Sequence, residues 1–345
     1  MMPAVNGPFS RDDRMEERAA AETKRSALPK EHGARATVAV IGVPSSLGAP
    51  GPGPEGGPAT LRAAGLLDRL RGAGLAVLDW GDVPVPFPDP TPTHGIHNLT
   101  ATVALARLVA ARVGAALDEG LLPLVLGGDH SVSLGSVAAS AARGPVGVLW
   151  FDAHGDFNTP ETSPSGNVYG MVLAVLAGLG AAPLVELVPA PVPCSRIAVL
   201  GVRALDPGER RNLHQAGVAV YTTEALRALG PERAVERAIA KLVAAGAERL
   251  HVSFDLDVLD PTVAPGVWTP AGDGLTVAEA RAALQAVARS GRLAALDVTE
   301  LFPARDREGA TTRAALSLIK AALATKPPVQ ALDWRATEAG LRSLA

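Results

Sequence analysis

The chain is short of the residues that staple, stack or span. Its 345 residues include one cysteine, Cys194, which excludes an internal disulfide and fits a reducing, cytoplasmic setting. Cys194 reads as a small apolar filler. The aromatic share is only 3%, while Ala, Gly and Pro are abundant. No sign of charge dominates, and the formal net charge of −3 argues against nucleic acid or an anionic membrane as an obligate partner. The apolar stretch Met171–Val188 is broken by Gly178, Gly180, Pro183 and Glu186, and reads as a helix plus a connection rather than a membrane span. Residues 1–36 are charged and mixed, with no apolar core, so a secretory signal is not expected there. A mobile tail with a helical stretch near Met15–Lys24 is expected instead.

What the chain does have is size and rhythm. A hydrophobic content of 48% is ample for one large α/β core. Short apolar, often β-branched segments recur at Val38–Gly42, Ala76–Asp79, Leu122–Leu126, Val146–Phe151, Arg196–Gly201, Val218–Tyr221, Leu250–Phe254 and Leu293–Val298. Between them lie Ala/Leu-rich stretches at helical spacing, such as Leu99–Leu117 and Arg233–Ala245. This alternation predicts a mostly parallel sheet covered by helices on both faces. The Pro-rich stretches Val83–Pro92 and Val188–Pro193 read as surface connections.

Three segments carry chemistry, and each follows a predicted strand. Asp152-Ala153-His154-Gly155-Asp156-Phe157-Asn158 comes directly after Val146–Phe151. If the strand geometry continues, Asp152, His154 and Asp156 share a face and converge. Two carboxylates and an imidazole crowded together without a cation would repel and desolvate badly, and a divalent metal removes that problem. The mixed oxygen and nitrogen set suits Mn²⁺, Fe²⁺, Ni²⁺ or Zn²⁺ better than Ca²⁺ or Mg²⁺. Gly127-Gly128-Asp129-His130-Ser131 places His130 at the carboxyl end of another strand, where open α/β sheets bind ligands. Asp255-Leu256-Asp257-Val258-Leu259-Asp260-Pro261 follows a third strand, and the period of two puts Asp255 and Asp257 on one face. His130, Asp152, His154, Asp156, Asp255 and Asp257 together exceed the needs of one ion. Shared between two ions about 3.5–4 Å apart, they can hold a hydroxide nucleophile at neutral pH.

These segments, in this order, resemble the ureohydrolases, and among them the arginases. The shared elements are the Gly-Gly-Asp-His segment, the Asp-x-His-x-Asp segment and Ser253-Phe254-Asp255-Leu256-Asp257-Val258-Leu259-Asp260-Pro261, joined by Gly57-Pro58-Ala59-Thr60-Leu61-Arg62 near the start. The resemblance covers roughly residues 37–325, leaving 326–345 as a C-terminal tail or helix. It implies a three-layer α/β/α fold with a mostly parallel eight-stranded sheet and metals at the strand carboxyl ends. It also implies two Mn²⁺ per chain and a homo-oligomer, either trimer or hexamer.

The resemblance implies a substrate as well. Glu300 follows a strand at the position where arginase-like enzymes hold a guanidinium, and a fixed carboxylate matches a planar cation. Asn158, Ser165 and Asp206 match the residues that read the α-amino acid head of L-arginine, and Glu209 and Thr269 complete the expected substrate-contacting set. Asp156 is expected to act in catalysis while ligating. Two departures stand out. Glu300-Leu301-Phe302-Pro303 replaces the common Glu-Val-Asn-Pro, and Tyr169 stands where the family usually carries a proton-shuttling His. Unperturbed Tyr titrates near 10 and His near 6.5, so Tyr is the poorer shuttle at neutral pH. The expected activity is hydrolysis of L-arginine to L-ornithine and urea. The alternatives are hydrolysis of another guanidino or amidino compound, such as agmatine or a guanidino acid, and a catalytically weak arginine-binding protein. His251 is expected to be a buried, hydrogen-bonded residue, and Asp297 a group that orients a metal ligand.

Overall fold

Short apolar segments bounded by glycines and helix starts pair into one sheet. The structure is a computed structural model and describes residues 37–324. The expected tails at 1–36 and 326–345, and the helical stretch near Met15, lie outside the described residues. The strands are β1 (Val38–Val43), β2 (Val77–Asp82), β3 (Leu122–Gly127), β4 (Val146–Phe151), β5 (Ile197–Val202), β6 (Ala219–Thr222), β7 (Arg249–Asp255) and β8 (Leu293–Thr299). All pairings are parallel, in the order β2-β1-β3-β8-β7-β4-β5-β6. Each expected strand forms: β4 has the expected bounds, and the others have ends shifted by up to three residues.

The helices are α1 (Gly57–Ala63), α2 (Leu66–Gly72), α3 (Leu99–Asp118), α4 (Ser133–Ala141), α5 (Val172–Leu176), α6 (Ala182–Val185), α7 (Pro207–Ala216), α8 (Thr223–Leu229), α9 (Pro231–Ala244), α10 (Val277–Ser290) and α11 (Ala310–Leu323). Side chains alternate across the strands, so each strand feeds two cores. Val38, Val40, Leu149 and Phe151 join α1, α2, α9, α10 and α11 on one face. Ala39, Ile41, Val148 and Trp150 join α3, α4 and α5 on the other. Three layers result, and the central strands are buried on both faces, as parallel sheets require. Among the described residues, α3 is the one helix long and apolar enough to cross a membrane, and half of that stretch is buried inside the fold. Its face Leu105, Val109, Val113 and Ala116 packs in the core with Ala39 and Ile41.

The strand order positions the site. From β3 the chain leaves the growing sheet and starts again at β4, and β7 and β8 later fill the gap. The carboxyl ends of β3, β8, β7 and β4 therefore lie side by side, at the kind of switch point where open α/β sheets bind ligands. The turn after β3 needs its glycine. A Cβ on Gly128 would lie 1.9 Å from the Ser45 carbonyl oxygen, so only glycine lets the two loops close.

Candidate metal centre

The side chains at three of these strand ends, those of β3, β4 and β7, form two clusters. In the first, His130 Nδ1 lies 3.0 Å from Asp152 Oδ2, 3.1 Å from Asp156 Oδ2 and 3.1 Å from Asp255 Oδ2. In the second, His154 Nδ1 lies 3.3 Å from Asp152 Oδ1 and 3.0 Å from Asp257 Oδ2. Asp152 gives one oxygen to each and joins them. Asp255 Oδ2 faces His130, while its Oδ1 accepts the Asp257 N–H at 2.7 Å. His130, Asp152, Asp156, Asp255 and Asp257 are all buried, each 3% exposed or less.

The reason for this convergence differs from the one the strand pattern suggests. β4 ends at Phe151, and Asp152–Asp156 is a tight loop rather than a strand. Asp156 takes a left-handed φ of +49°, which turns it back to His130 while His154 goes to Asp257. Likewise Leu256–Val258 is a single 3₁₀ turn, so Asp255 and Asp257 do not share a strand face. They serve different clusters.

The residues fit a pair of cations. One imidazole nitrogen carries at most one proton, yet three carboxylate oxygens crowd His130 Nδ1. Neither His130 Nδ1 nor Asp156 Oδ2 has a well-directed hydrogen bond, although both are buried. Groups that converge on a common point without satisfying one another are ligands awaiting a positive charge. Burial pushes the Asp156 and Asp255 carboxyls well above their usual range, and neighbouring carboxylates push in the same direction. Asp152 goes the other way: despite burial, the two adjacent histidines hold it far down. His154 is held high by Asp257 and Asp152, although burial opposes this.

The surrounding residues fix the ligands in place. His130 Nε2 lies 2.8 Å from Ser253 Oγ, which in turn lies 2.9 Å from Ser133 Oγ. The Trp150 ring stacks on His130 with centroids 4.0 Å apart, and its Nε1–H donates to Asp152 Oδ2 at 3.1 Å. Sequence reasoning missed Trp150, although it lies two residues before Asp152 in a buried strand. Asp257 Oδ1 accepts the Ala153 N–H at 3.0 Å, and its Oδ2 accepts the Thr269 hydroxyl at 3.2 Å. Asp129 braces its turn by accepting the Gly48 and Ser131 N–H groups at 3.1 and 2.8 Å.

Glu300 closes one side. It is 1% exposed and has a left-handed φ of +68°. Its Oε1 accepts the His130 N–H at 2.8 Å, while Oε2 is buried without a partner. Burial first, then Asp255 and Asp129, raise its carboxyl well above the usual range. A buried carboxylate oxygen without a donor, beside a metal-ligand cluster, is a ready receptor for a cation.

Comparison with known proteins bears on this geometry. The arginase family profile matches residues 36–324. Arginase of Bacillus subtilis is 37% identical over 84% of this chain and 98% of the relative. The chain belongs to the arginase family. The native structure of the arginase from Bacillus caldovelox is 35% identical, with a TM-score of 0.80 over 86% of this chain and 99% of the other. An Entamoeba histolytica arginase in complex with L-ornithine has a TM-score of 0.78 at 29% identity, over 84% of this chain and 99% of the other. The chain is therefore a metal-dependent hydrolase of the ureohydrolase type. Its buried His/Asp clusters suit that chemistry.

Around this arginase-family centre, the remaining expected residues divide. Asn158 is buried, and its Nδ2 donates to Asp206 Oδ2 at 3.0 Å while its Oδ1 has no partner. Ser165, on the same loop, is exposed, and its Oγ accepts the Asn167 N–H at 3.3 Å. Asp206 is the N-cap of α7 and forms a capping box with Glu209. Glu209 spends both carboxylate oxygens on backbone, accepting the Phe157 N–H at 3.0 Å and the Asp206 N–H at 3.2 Å. It holds the ligand loop from below. Tyr169 lies within electrostatic reach of Glu300, Asp156, His154 and Asp257; burial and those carboxylates raise its hydroxyl, so it stays a neutral phenol. Phe302, in place of the common Asn, stacks on Trp268 with centroids 5.1 Å apart. His251 is buried between Ser140 and Asp297, each 2.9 Å away. Asp297 orients no metal ligand: its other oxygen accepts from Ser136 at 2.7 Å, on the α4 side of the sheet.

Glu209 carries a pH prediction. Burial pushes its carboxyl up to about 7. The folded protein therefore holds this proton more tightly than the unfolded chain does. The contribution is fully present below the unfolded value near 4.5 and is lost as pH rises through about 7. Wild type should lose about 1–3 kcal/mol relative to Glu209→Gln between pH 4.5 and 8. Thermal melts of both proteins across that range check it; a constant difference in Tm would refute the assignment.

Proposed function

We propose that this chain hydrolyses L-arginine to L-ornithine and urea with two Mn²⁺ ions held by His130, Asp152, Asp156 and Asp255 on one side and Asp152, His154 and Asp257 on the other. The observation that carries the substrate assignment is Glu300 Oε2, a buried acceptor without a donor beside the ligand clusters. A guanidinium supplies the planar cationic donor it lacks. The relatives named arginase, and the one in complex with L-ornithine, support the same choice.

When bound, a pair of divalent cations supplies Lewis acidity and a nucleophile drawn from water at neutral pH. Glu300 orients the guanidinium and holds its positive charge. Asp156 accepts a hydrogen bond from the attacking water and guides it to the guanidinium carbon. Tyr169, as a neutral phenol, donates to the leaving amine. Asn158 and Asp206 meet the α-amino acid head, Asp206 taking the ammonium. A homo-oligomer, either trimer or hexamer, and a cytoplasmic setting accompany this reading; the family resemblance supports the first and the lone cysteine the second.

Urea release with Mn²⁺ tests it. kcat/KM should be at least about tenfold higher for L-arginine than for agmatine, since a substrate without the carboxylate leaves the head-group residues unpaired. Equal values, or a preference for agmatine, would reject arginine. Tyr169→Phe should lower kcat by about tenfold at every pH and leave both ions bound, whereas Tyr169→His should raise kcat near neutral pH. A Tyr169→Phe enzyme equal to wild type would remove the tyrosine from proton transfer. Tight arginine binding with no urea release would favour the binding-protein reading that Tyr169 motivates.

A further inference from the structure

Arg203 stands just past β5, beside the segments that carry Asp257 and Thr269. Its guanidinium is spent entirely on backbone carbonyls. Nε donates to Gly272 O at 2.8 Å and Ala271 O at 3.3 Å. Nη1 donates to Gly201 O at 3.0 Å and Val258 O at 3.2 Å. Nη2 donates to Asp257 O at 2.7 Å, Ala271 O at 2.8 Å and Leu259 O at 3.2 Å. One side chain therefore ties three pieces of chain together: the end of β5, the 3₁₀ turn that bears Asp257, and the loop that runs on from Thr269.

Each of these pieces touches the second ligand cluster. Asp257 Oδ2 lies 3.0 Å from His154 Nδ1 and accepts from Thr269. Asp257 Oδ1 holds the Ala153 N–H, and the N–H groups of Arg203 and Ala204 both reach Ala153 O at 2.9 Å. The carbonyls of Asp257, Val258 and Leu259 lie at the end of the short 3₁₀ turn Leu256–Val258, where such groups have few partners within the turn. The packing is tight: a Cβ on Gly274 would lie 2.6 Å from Arg203 Nη2. The first cluster depends on these pieces less. His130 and Asp156 are placed by β3 and the Asp156 turn, and only the shared Asp152 and Asp255, whose Oδ1 holds the Asp257 N–H, border the segments that Arg203 ties.

We propose that Arg203 is a positioning residue for the second metal position only. Its fork of donors presets Asp257 and Thr269 against His154, so that the ion at this position finds its ligands assembled and its binding tightens the 256–275 segment. A flexible ammonium cannot replace it, because the role depends on five donors in a fixed plane and not on charge. The proposal rests on the two-ion reading above.

The experiment is Mn²⁺ titration of the metal-free protein by calorimetry, with elemental analysis, for wild type, Arg203→Lys and Arg203→Gln. Wild type should bind two ions. Both variants should bind one of the two ions at least tenfold more weakly and the other within twofold of wild type. A wild type with one ion overturns the two-ion reading and this proposal with it. Two ions in wild type with equal losses at both positions in the variants, or Arg203→Lys equal to wild type, overturns the role of Arg203 alone. A readout that needs no variant covers misfolding: in wild type, amide hydrogen exchange over residues 256–275 should slow with one of the two equivalents of Mn²⁺ and not the other. Exchange that slows equally with both, or not at all, overturns the proposal.

Discussion

Asp152→Asn should leave the protein with at most one tightly bound ion and lower kcat/KM for L-arginine by at least about a thousandfold, equivalent to about 4 kcal/mol of transition-state stabilisation. Asp152 is the one carboxylate shared by both clusters: Oδ2 faces His130 and Oδ1 faces His154. Asparagine keeps its size but replaces one oxygen with an NH₂ group that cannot bind a cation. It also leaves one fewer negative charge to balance two dications in a buried site. The Trp150 indole and the His154 N–H, which donate to opposite oxygens of Asp152, cannot both keep an acceptor. Elemental analysis with a urea assay reads the result, and circular dichroism checks that the fold is retained. A folded Asp152→Asn protein with two ions and activity within tenfold of wild type would refute the shared-carboxylate geometry. Removing all metal from wild type with a chelator should likewise abolish urea release, and Mn²⁺ should restore it.

The parts of this site that were legible in the sequence were those written locally. Each ligand segment directly follows an apolar strand, and His, Asp and Gly in that place have few structural reasons to be there. Strand existence was legible for the same reason, since β-branched runs of about six residues between Ala-rich helices favour a buried parallel sheet. The sheet order was not, because the insertion of β7 and β8 between β3 and β4 depends on pairings such as Val146 with Arg249 and Leu124 with Leu296, more than 100 residues apart in sequence. Nor was the true reason for convergence. A period of two predicts a common face for Asp152, His154 and Asp156, but the chain leaves the sheet at Phe151 and the two clusters are built by turns.

Residues whose partners are distant were misread or missed. Glu209 fits a substrate-contacting pattern, yet its two oxygens cap α7 and hold Phe157. Arg203 carries no motif, and its role appears only when six carbonyls from three segments surround it. Asp297 illustrates the opposite error. It lies on a strand next to β7 with Ser253 as its register partner, close enough to suggest a hand in orienting a ligand, but its bonds run to His251 and Ser136. Adjacency in the sheet gives proximity, and the rotamer decides which network a carboxylate joins.

Glu300→Gln should separate activity from stability. The substitution keeps the Oε1 acceptor for the His130 N–H and replaces Oε2 with an amide that can only donate. Toward a guanidinium, a charge-assisted acceptor then becomes a second donor facing donors. Losing a hydrogen bond to a charged group and leaving buried donors unmatched together cost about 3–4 kcal/mol, so kcat/KM for L-arginine should fall by about 10²–10³-fold. Metal binding should be unchanged, because no ligand cluster includes Glu300. Stability of the metal-free protein should rise. Its carboxyl is pushed far up by burial and by Asp255 and Asp129, so the fold bears the cost of holding it against ionisation at neutral pH, and the amide, which does not titrate, removes that cost. The left-handed backbone at Glu300, with φ of +68°, persists in the variant, so the gain reflects the lost titration rather than relief of strain. Urea kinetics, metal analysis and melts of the metal-free proteins test all three parts. Activity within threefold of wild type would remove Glu300 from substrate recognition. A drop in both activity and metal content would show instead that the residue acts through the ligand shell. Lost catalysis with a raised Tm is the pattern expected of a buried charge kept for its substrate at the expense of the fold.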